Sequence, residues 1–272
     1  MTVTGPGASP DGGDRTPPAW PPKYDIFGIG VTATTREALA NVMIDAARRR
    51  VPSSVEALAV HPLVLAAGDS DFRRALRSFD AVAPDGQPVR FALDLLHGTR
   101  LPDRVRSIEL TLRVCELAAQ HAVKVYLYGS YPNVVAALKH ELTRRFPRLD
   151  ITGCEPGVYR PLTPHEDQAL MERIERSGAG LVLIGLGCPR QEIFAYEHRG
   201  RIRGVQFCIG AAFDILCGHR AQAPLWMQRT GLEWLFRLHQ EPRRLWRRYL
   251  DTNTRFVMRL TVAWLRRRRP PR

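Results

Sequence analysis

Short apolar segments alternate with segments of helical periodicity from residue 24 to residue 209 of this 272-residue chain. The alternation predicts an α/β fold in which a mainly parallel sheet carries helices on both faces. Ligands of such folds gather at the carboxyl ends of the strands, so the turns after the strands are the expected place for a site. The predicted strands are 24–29, 55–60, 81–83, 123–128, 150–152, 181–186 and 205–209, and the predicted helices are 35–50, 71–78, 88–96, 107–121, 132–146, 164–176 and 191–199.

The two ends of the chain depart from this alternation. Residues 1–22 are rich in Gly, Pro, Ser and Asp and lack the apolar segment of a signal peptide, which predicts a disordered tail. Residues 23–222 would then form the α/β domain. Residues 223–272 hold two stretches of helical composition, 229–249 and 252–269, without a strand pattern, which predicts a helical appendage.

Basic charge is concentrated in this appendage. The formal net charge is +13, and residues 229–272 hold thirteen arginines against three acidic residues, which is +10 of that total. This charge indicates an acidic partner: nucleic acid, a phosphorylated substrate or an anionic membrane. Four of the five tryptophans also lie after residue 222. Tryptophan beside arginine favours a membrane surface over nucleic acid, and the alternative is a helix pair with a solvated basic face.

The spacing of cysteine, histidine and aspartate predicts no metal site and no cofactor. Five cysteines without a CxxC pair indicate reduced thiols in a cytosolic protein, and no HxxxH or HExxH pattern supports a zinc site. Asp69-Ser70-Asp71 resembles a DxD metal-binding pattern, but its place before a predicted helix favours a helix cap. No apolar run of about 18 residues predicts a helix that crosses a membrane.

A dinucleotide-binding turn is the alternative function that the sequence offers. Gly28 and Gly30 belong to a G-x-G-x-x-A pattern between a predicted strand and a predicted helix. The next predicted strand ends near His61 without the carboxylate that would hold a ribose. The alternative is thus an NAD(P)-dependent oxidoreductase that uses the Gly28 turn.

Two predicted strands end in turns that suit a ligand. Asp85 and Gly86 lie between prolines that stiffen the turn, so the Asp85 carboxylate is positioned to act as a base. Near Gly129 and Ser130, backbone N–H groups ahead of a helix can hold an anion. In both places an ordinary turn explains the residues equally well.

A third turn follows the strand predicted at residues 181–186. Gly185 and Gly187 would make the turn, and Arg190 offers a guanidinium that matches a phosphate group. Gln191 and Glu192 can form hydrogen bonds with the hydroxyl groups of a sugar. The alternative is the first turn of a helix, with Glu192 interacting favourably with the helix dipole.

Several motifs in this order carry a resemblance to one family. The chain resembles the WecG/TagA/CpsF glycosyltransferases (glycosyltransferase family 26) over about residues 24–251. The resemblance implies a Rossmann-like α/β fold with a C-terminal appendage near the membrane. The motifs are DG-x-P at 85–88, L-x-x-R-V at 101–105, YLYG at 126–129, GLGxPRQE at 185–192, GAAFD at 210–214, APLWM at 223–227 and GLEWLFRLxxEPRRLxRRY at 231–249.

The resemblance also implies an activity. Members are inverting, metal-independent hexosyltransferases that move a sugar from a nucleotide donor to a saccharide on a polyprenyl diphosphate, in the synthesis of cell-surface polysaccharides and teichoic-acid-type polymers. The implied partners are a UDP-sugar, the lipid-linked acceptor and an anionic membrane surface, and not nucleic acid. The implied location is cytoplasmic, on the inner face of the cell membrane, and assembly into a homo-oligomer is left open.

Site roles follow by motif from the same resemblance. Asp85 would be the general base on the acceptor hydroxyl, Gln191 would contact a substrate near the reacting carbon, and Arg104 would stabilise the departing diphosphate. The other expected substrate contacts are His61, Gly86, Gly129, Ser130, Gly185, Gly187, Arg190, Glu192 and Asp214, and the expected contacts to the lipid diphosphate and the membrane are Arg237, Arg243, Arg244, Arg247 and Arg248.

Three departures from the family's motifs bear on the choice of sugar. The family's Thr-x-Asn reads Ala59-Val60-His61, its R-x-x-G-x-D has Ser107 in place of glycine and Glu109 in place of aspartate, and Gln222 replaces the arginine of Arg-Ala-Pro. Because His61 falls in the family's pocket, we expect it to alter sugar choice or the tuning of the base. The donor sugar is therefore left open between an N-acetylmannosamine-like and a glucose-like hexose.

Overall fold

A parallel sheet of six strands forms the centre of the protein. The computed structural model describes residues 17–268, with the backbone alone at residue 268. Two strands, β1 (Lys23–Ile26) and β2 (Ile29–Thr32), form a separate antiparallel hairpin. The other six pair in parallel in the order β4-β3-β8-β7-β5-β6, which confirms the expected α/β class. They are β3 (Ser53–Leu58), β4 (Ala81–Pro84), β5 (Val125–Gly129), β6 (Ile151–Glu155), β7 (Leu181–Gly185) and β8 (Val205–Cys208).

Helices cover both faces of this sheet and continue to the end of the described chain. Their bounds agree with the predicted ones to within a few residues between residues 35 and 199 for every helix except α2. The helices are α1 (Arg36–Arg48), α2 (Val60–Gly68), α3 (Ser70–Arg77), α4 (Gln87–His97), α5 (Ser107–Gln120), α6 (Pro132–Arg145), α7 (Pro164–Ser177), α8 (Arg190–Glu197), α9 (Ala212–Leu216), α10 (Leu225–Thr230), α11 (Glu233–Gln240) and α12 (Pro242–Arg268).

Two apolar layers hold the sheet, because successive side chains of a strand point to opposite faces. On β5, Val125 and Leu127 enter the layer formed with α1, α5, α6 and α9. Tyr126 and Tyr128 enter the opposite layer, formed with α2, α3, α4, α7 and α8. Each fully buried apolar side chain contributes roughly 1.5–3 kcal/mol. The layers therefore fix the strand ends, and with them the turns that follow.

Side-chain caps begin three of the predicted helices, α1, α3 and α7. The Thr35 hydroxyl accepts a hydrogen bond from the Ala38 N–H at the start of α1. The Asp69 carboxylate accepts from the N–H groups of Asp71 and Phe72, at 2.9 and 3.0 Å, at the start of α3. This satisfies backbone donors that would otherwise lack partners. The interpretation of the Asp69-Ser70-Asp71 motif as a helix cap is thus confirmed.

The Gly28 turn belongs to a hairpin, and the dinucleotide interpretation was wrong. Residues 24–29, predicted as one strand, turn back at Phe27 and Gly28, whose φ angles are 56° and 88°. Such positive angles suit a tight hairpin between antiparallel strands. Gly30 then lies inside β2, opposite Asp25. The turn joins two antiparallel strands, whereas a pyrophosphate site of this type needs a turn that leads from a parallel strand into a helix.

The helix α2 was not predicted. The strand expected to reach residue 60 ends at Leu58, and the chain turns into α2 at Val60. This helix is short and almost wholly apolar, and its first residue has no side-chain cap, so neither helical periodicity nor a start signal marks it. His61 consequently lies in the first turn of a helix.

The C-terminal segment consists of three helices that pack on the α/β core. Breaks occur at Gly231, whose φ is 79°, and before Pro242, whereas α12 continues through the break predicted near residue 250. Leu245, Thr252 and Phe256 are the buried residues of α12, which contacts α2 and α4. At the other end, Trp20 packs half-buried against the core. Residues 1–16 of the predicted tail and 269–272 of the predicted appendage lie outside the described residues.

We predict that Gly129→Ala destabilises the protein strongly. Gly129 has a φ of 131°, and a Cβ atom there would lie 2.5 Å from the backbone of Gly185 on β7. Strain and overpacking together should lower the free energy of unfolding by about 3 kcal/mol or more. Urea denaturation measures the loss. Gly68→Ala is the matched control, because a Cβ atom at that helical position meets nothing within 4 Å, and an equal loss in both variants would contradict the close approach.

Candidate functional site

A cavity of about 440 Å³ opens at the carboxyl ends of the parallel strands. Its walls come from the turns after β3, β4, β5, β7 and β8, and α11 and α12 cover it from the other side. This is the edge of the sheet at which parallel α/β folds bind ligands. Of the expected site residues, it contains Asp85, Ser130, Gly185, Gly187, Gln191, Glu192, Asp214, Arg237, Arg244 and Arg248.

Asp85 lies directly after β4, on the side of the cavity that the strand ends form. Its own N–H donates to the Leu58 carbonyl, and the Ser107 N–H donates to the Asp85 carboxylate at 2.8 Å. These bonds fix the carboxylate between two loops. Burial raises the pKa of Asp85 above its usual range, while the charge of Arg104 and the Ser107 N–H lower it in part. A fixed carboxylate with a raised pKa is a competent proton acceptor near neutral pH.

A second group of polar side chains lies beside Asp85. Glu56 in the middle of β3, and Gln191 and Glu192 in the first turn of α8, are all at least 95% buried and all line the cavity. The Gln191 amide nitrogen is 3.3 Å from the Glu192 carboxylate and 3.5 Å from that of Glu56. The side-chain carbonyl oxygen of Gln191 accepts a hydrogen bond from the Gly187 N–H at 3.2 Å. These contacts hold the amide in one orientation.

Glu56 and Glu192 form a buried pair of carboxyl groups. The pair is more stable when it holds a proton than when both groups are charged. Burial raises the pKa of Glu192 to about 7, and burial together with the Glu192 charge raises the pKa of Glu56 well above its usual value. The other titratable groups acting on the pair are Asp85, Cys188 and Cys208. One Glu192 carboxylate oxygen is buried without a hydrogen-bond partner among the described residues. A proton, or a ligand hydroxyl, would satisfy this oxygen.

Close backbone contacts set the shape of the turns around these groups. The Ser130 N–H donates to the Gly185 carbonyl at 2.9 Å, across the ends of β5 and β7. A Cβ atom on Gly185 would lie 2.7 Å from the Phe213 ring. Gly129 contacts Gly185 and does not line the cavity. Its contribution is to let β5 and β7 approach each other closely.

Aromatic side chains form the rim of the cavity on the side of β5 and β6. Tyr131 and Tyr159 both line the cavity, and their ring centroids are 5.3 Å apart. The Arg190 guanidinium lies 5.4 Å from the Tyr159 ring centroid, so this exposed arginine supports the rim from outside the cavity. Asp214 faces the cavity from α9. Two neighbouring rings beside a cation suit a flat, electron-rich ligand.

Arginines form the opposite wall, which we call the arginine wall: Arg220, Arg237, Arg244 and Arg248. Arg220 pairs with Glu241 at 3.2 Å, Arg244 pairs with the same carboxylate, and Arg237 pairs with Glu233 at 3.2 Å. Within residues 17–268, Arg248 alone of these four has no carboxylate partner. It is the arginine of the wall whose charge is least compensated.

Other expected residues lie outside the cavity lining. Arg104 is buried behind Asp85 and pairs with Glu233 at 2.8 Å. His61 is half-buried, and burial together with the charge of Arg248 lowers the pKa of this imidazole to about 4. Gly86 is the N-cap of α4. Arg243 and Arg247 are exposed on α12, away from the cavity.

Sequence reasoning missed several residues of the cavity. Glu56 could have been found, because a carboxylate inside the apolar strand SSVEAL requires a special environment. Tyr131, Tyr159 and Arg220 lie in loops or at a helix start, where one sequence carries no pattern that marks a ligand contact. In the part of the chain that the structure describes, no three or more His, Cys, Asp or Glu side chains form a metal-binding group.

Comparison with known proteins gives a consistent result. The family model described as Glycosyl transferase WecG/TagA/CpsF family matches residues 24–270. The N-acetylglucosaminyldiphosphoundecaprenol N-acetyl-beta-D-mannosaminyltransferase of Bacillus subtilis (strain 168) is 28% identical over 184 residues, which cover 67% of this chain and 69% of the relative. The protein of the same description from Bacillus spizizenii (strain ATCC 23059 / NRRL B-14472 / W23) is 30% identical over 181 residues, which cover 66% and 68%.

We predict that Glu192→Gln makes the protein more stable than wild type at alkaline pH. The folded-state pKa of Glu192, about 7, lies above its ordinary value of 4.5, so folding favours the protonated carboxyl. That stabilisation is complete below the ordinary pKa and is lost as pH rises through about 7. The melting temperature of Glu192→Gln minus that of wild type should therefore grow between about pH 5 and pH 8. Glu197→Gln, an exposed change on the same helix, should show no such growth. A flat difference for Glu192→Gln would contradict the buried pair.

Proposed function

The chain belongs to the WecG/TagA/CpsF family of glycosyltransferases, and on that basis we propose that it transfers a hexose from a UDP-sugar to a saccharide linked to a polyprenyl diphosphate. One observation carries the proposal: a fixed carboxylate, Asp85, faces an arginine wall across one cavity. Sugar transfer from a nucleotide needs a base for the acceptor and positive charge for the leaving diphosphate. The relatives' names supply the acceptor class, since both act on a sugar diphosphoundecaprenol.

In the proposed reaction, Asp85 takes the proton of the acceptor hydroxyl. The acceptor oxygen forms a bond to the anomeric carbon while the bond from that carbon to the phosphate oxygen breaks. The electron pair of the broken bond leaves with the nucleoside diphosphate. Because the acceptor oxygen enters on the face opposite to this leaving group, the anomeric configuration inverts. Ser107 holds Asp85 in place through its backbone N–H, and so the proton acceptor is oriented before the substrate binds.

We propose that the reaction needs no metal ion. The arginine wall then supplies the positive charge that stabilises the leaving diphosphate. Arg248 suits this role best, since it lines the cavity and has no carboxylate partner in the described chain. Arg104 would need to leave Glu233 before it could reach a diphosphate. We therefore assign Arg104 to two tasks behind the site. Its charge lowers the pKa of Asp85, and its ion pair with Glu233 fastens α11 to the core.

The aromatic rim suits the base of the nucleotide. Tyr131 and Tyr159 present two neighbouring rings at the cavity edge, and bases stack on such rings. Arg190 holds Tyr159 from behind, and the N–H groups beside Ser130 lie at the start of α6. Gln191 and Glu192 lie deeper, toward Asp85, where the transferred sugar would be held. His61 contributes from behind the wall, beside Arg248.

The outer surface of α12 suits the membrane that carries the acceptor. Its solvent side presents Trp246, Leu250, Val257, Met258, Val262 and Leu265, and Leu250 is 66% exposed. Arg243 and Arg247 lie on the same exposed side, and the Arg247 guanidinium is 5.1 Å from the Trp246 ring centroid. Apolar side chains beside arginine are typical of helices that lie in the membrane interface.

We propose a peripheral location on this basis, on the inner face of the cell membrane, where the nucleotide sugar is available. Between residues 17 and 268, no helix is both long enough and apolar enough to cross a bilayer. The exposed side of α12 and two arginines of the wall, Arg244 and Arg248, belong to one helix. Contact with the lipid surface would therefore hold the cavity next to the lipid-linked acceptor.

We predict that Asp85→Asn abolishes sugar transfer and leaves UDP-sugar binding intact. The amide keeps the shape of the side chain but cannot take the acceptor proton, and loss of a general base lowers the rate by roughly 10²–10⁴-fold. Release of UDP in the presence of a polyprenyl-diphosphate-linked saccharide measures the rate, and calorimetry measures donor binding. Asp71→Asn, an exposed change on α3, is the control. Transfer near the wild-type rate by folded Asp85→Asn would refute the role.

We predict that the double variant Arg243→Glu and Arg247→Glu detaches the protein from anionic vesicles and keeps UDP-sugar binding. Each basic residue near an anionic surface contributes about 1 kcal/mol, so binding should fall at least roughly tenfold. Sedimentation with phosphatidylglycerol vesicles at low salt measures it. The control, Arg144→Glu and Arg145→Glu on α6, changes the charge equally elsewhere. Equal sedimentation of the two double variants would contradict the assignment.

A further inference from the structure

We infer that an apolar groove on the C-terminal helices binds the first prenyl units of the acceptor's lipid chain. The inference rests on the function proposed above and adds a second site to it. Transfer requires only that the saccharide and its diphosphate enter the cavity, and the bilayer could hold the whole chain. A groove next to the arginine wall indicates that the protein itself binds the chain where it leaves the diphosphate.

The groove has a volume of about 470 Å³ and lies where α10, α11 and the first residue of α12 meet. This volume is in the range of sites that bind small molecules. Among the described residues that line it there is no carboxylate, lysine or arginine, so a hydrocarbon chain can enter without removing such a charge from water. The lining residues are Met227, Leu235, Phe236, Leu238, His239 and Pro242.

One helix, α11, separates the groove from the catalytic cavity. Arg237 and Gln240 line the cavity. Leu235, Leu238 and His239 line the groove, and their spacing of three and four residues places them on one side of the helix. An α-helix with its side chains is only about 10–12 Å wide. A ligand that carries a diphosphate at one end and a hydrocarbon chain beyond it can therefore contact Arg237 and the groove together.

Two aromatic side chains form an apolar edge between the cavity and the groove. Tyr249 lines the cavity, and the ring centroid of Trp234 on α11 lies 5.9 Å from that of Tyr249. Trp234 precedes Leu238 by four residues, so these two side chains are neighbours on the surface of α11. A lipid chain that leaves the cavity at Tyr249 can thus reach the groove over apolar side chains.

The order of chemical groups along the acceptor matches the order of surfaces on the protein. The reacting hydroxyl must reach Asp85, and the sugar ring and the diphosphate separate that hydroxyl from the first prenyl carbon. The hydrocarbon therefore begins at the margin of the cavity. From Asp85 outward, the protein presents the arginine wall, the edge at Trp234 and the groove. This match assigns the groove to a prenyl chain in preference to a second copy of the protein.

The groove is also continuous with the side of α12 that the proposed function places on the membrane. Pro242 lines the groove, and Trp246 and Leu250 follow it at intervals of four residues, which is about one turn of the helix. Leu225 and Trp226, on α10, are 68% and 60% exposed. The remainder of the lipid chain can therefore return to the bilayer along apolar side chains.

Soluble ligands test the inference without a membrane. Geranyl diphosphate carries two prenyl units, and methyl diphosphate has the same charged group without a chain. Calorimetry gives the affinity of the full-length protein for each ligand, with UDP present and with neither detergent nor vesicles. Burial of one methylene group improves affinity roughly fourfold, so wild type should bind geranyl diphosphate at least roughly tenfold more tightly than methyl diphosphate.

Two variants locate the bound chain. Leu235→Asp and His239→Asp each place a carboxylate at an exposed position of the groove, so each should reduce the preference for geranyl diphosphate at least roughly fivefold. Methyl diphosphate corrects for repulsion between the new charge and the diphosphate. Leu95→Asp, at an exposed leucine of α4, should keep the wild-type preference. Melting temperatures identify any variant that fails to fold, and the wild-type comparison stands without the variants.

The outcomes separate this inference from the proposed function. If neither UDP nor UDP-glucose nor UDP-N-acetylmannosamine binds, the proposed function fails. If UDP binds but wild type binds geranyl diphosphate no better than methyl diphosphate, the groove inference is overturned and the function stands.

Other occupants of the groove give different results, and each overturns the inference. A preference for geranyl diphosphate that survives unchanged in both folded variants shows that the chain binds elsewhere. If Leu235→Asp keeps that preference but no longer sediments with phosphatidylglycerol vesicles, the groove belongs to the bilayer. If it keeps the preference but sediments in solution as a monomer where wild type is a dimer, the groove belongs to a second copy of the chain.

Discussion

The site depends on one constraint: six strands run in the same direction, and their carboxyl ends meet at one edge of the sheet. Asp85 after β4, Ser130 after β5, Gln191 after β7 and the turn after β8 come from distant parts of the chain. The parallel arrangement brings them to a single cavity without any long-range signal in the sequence. The two apolar layers hold the strands, so the polar side chains at the edge keep their positions even where burial opposes their charge.

Charge separation across the cavity is the second organising feature. The α/β core supplies the carboxyl groups of Glu56, Asp85 and Glu192, and the C-terminal helices supply Arg237, Arg244 and Arg248 of the arginine wall. The proton acceptor and most of the counter-charge for a diphosphate therefore come from different parts of the chain. Their junction is held by the buried Arg104–Glu233 pair and by the packing of α12 on α2 and α4. The C-terminal segment is in this sense part of the site, and its basic composition reflects two surfaces, one inside the cavity and one facing solvent.

Much of this architecture could be predicted from the sequence, because repeated local patterns determine it. Strand and helix alternation located the sheet, and long motifs located Asp85 and Gln191. Sequence patterns did not predict the structure where contacts between residues distant in the chain determine it. The apolar α2 lacks periodicity, and the turn at Phe27 and Gly28 looks like a strand-to-helix turn until its partner strand is known. The importance of Glu56 depends on Glu192, which is 136 residues away, and the division of the arginines of α12 into two sets depends on which face of the helix is buried.

The continuity of α12 has a mechanical consequence. The helix runs unbroken from Pro242 to Arg268, and its buried Phe256 contacts Phe27 at a centroid distance of 5.7 Å. Arg248 lies eight residues before this anchor and Trp264 eight residues after it, about 12 Å to either side at the rise of an α-helix. Leu245 and Thr252 are buried on one side of this contact, and Leu260, Ala263 and Trp264 pack against the core on the other. The helix is therefore held along most of its length, and the same packing that fixes its far end also fixes the distance of Arg248 from the strand ends.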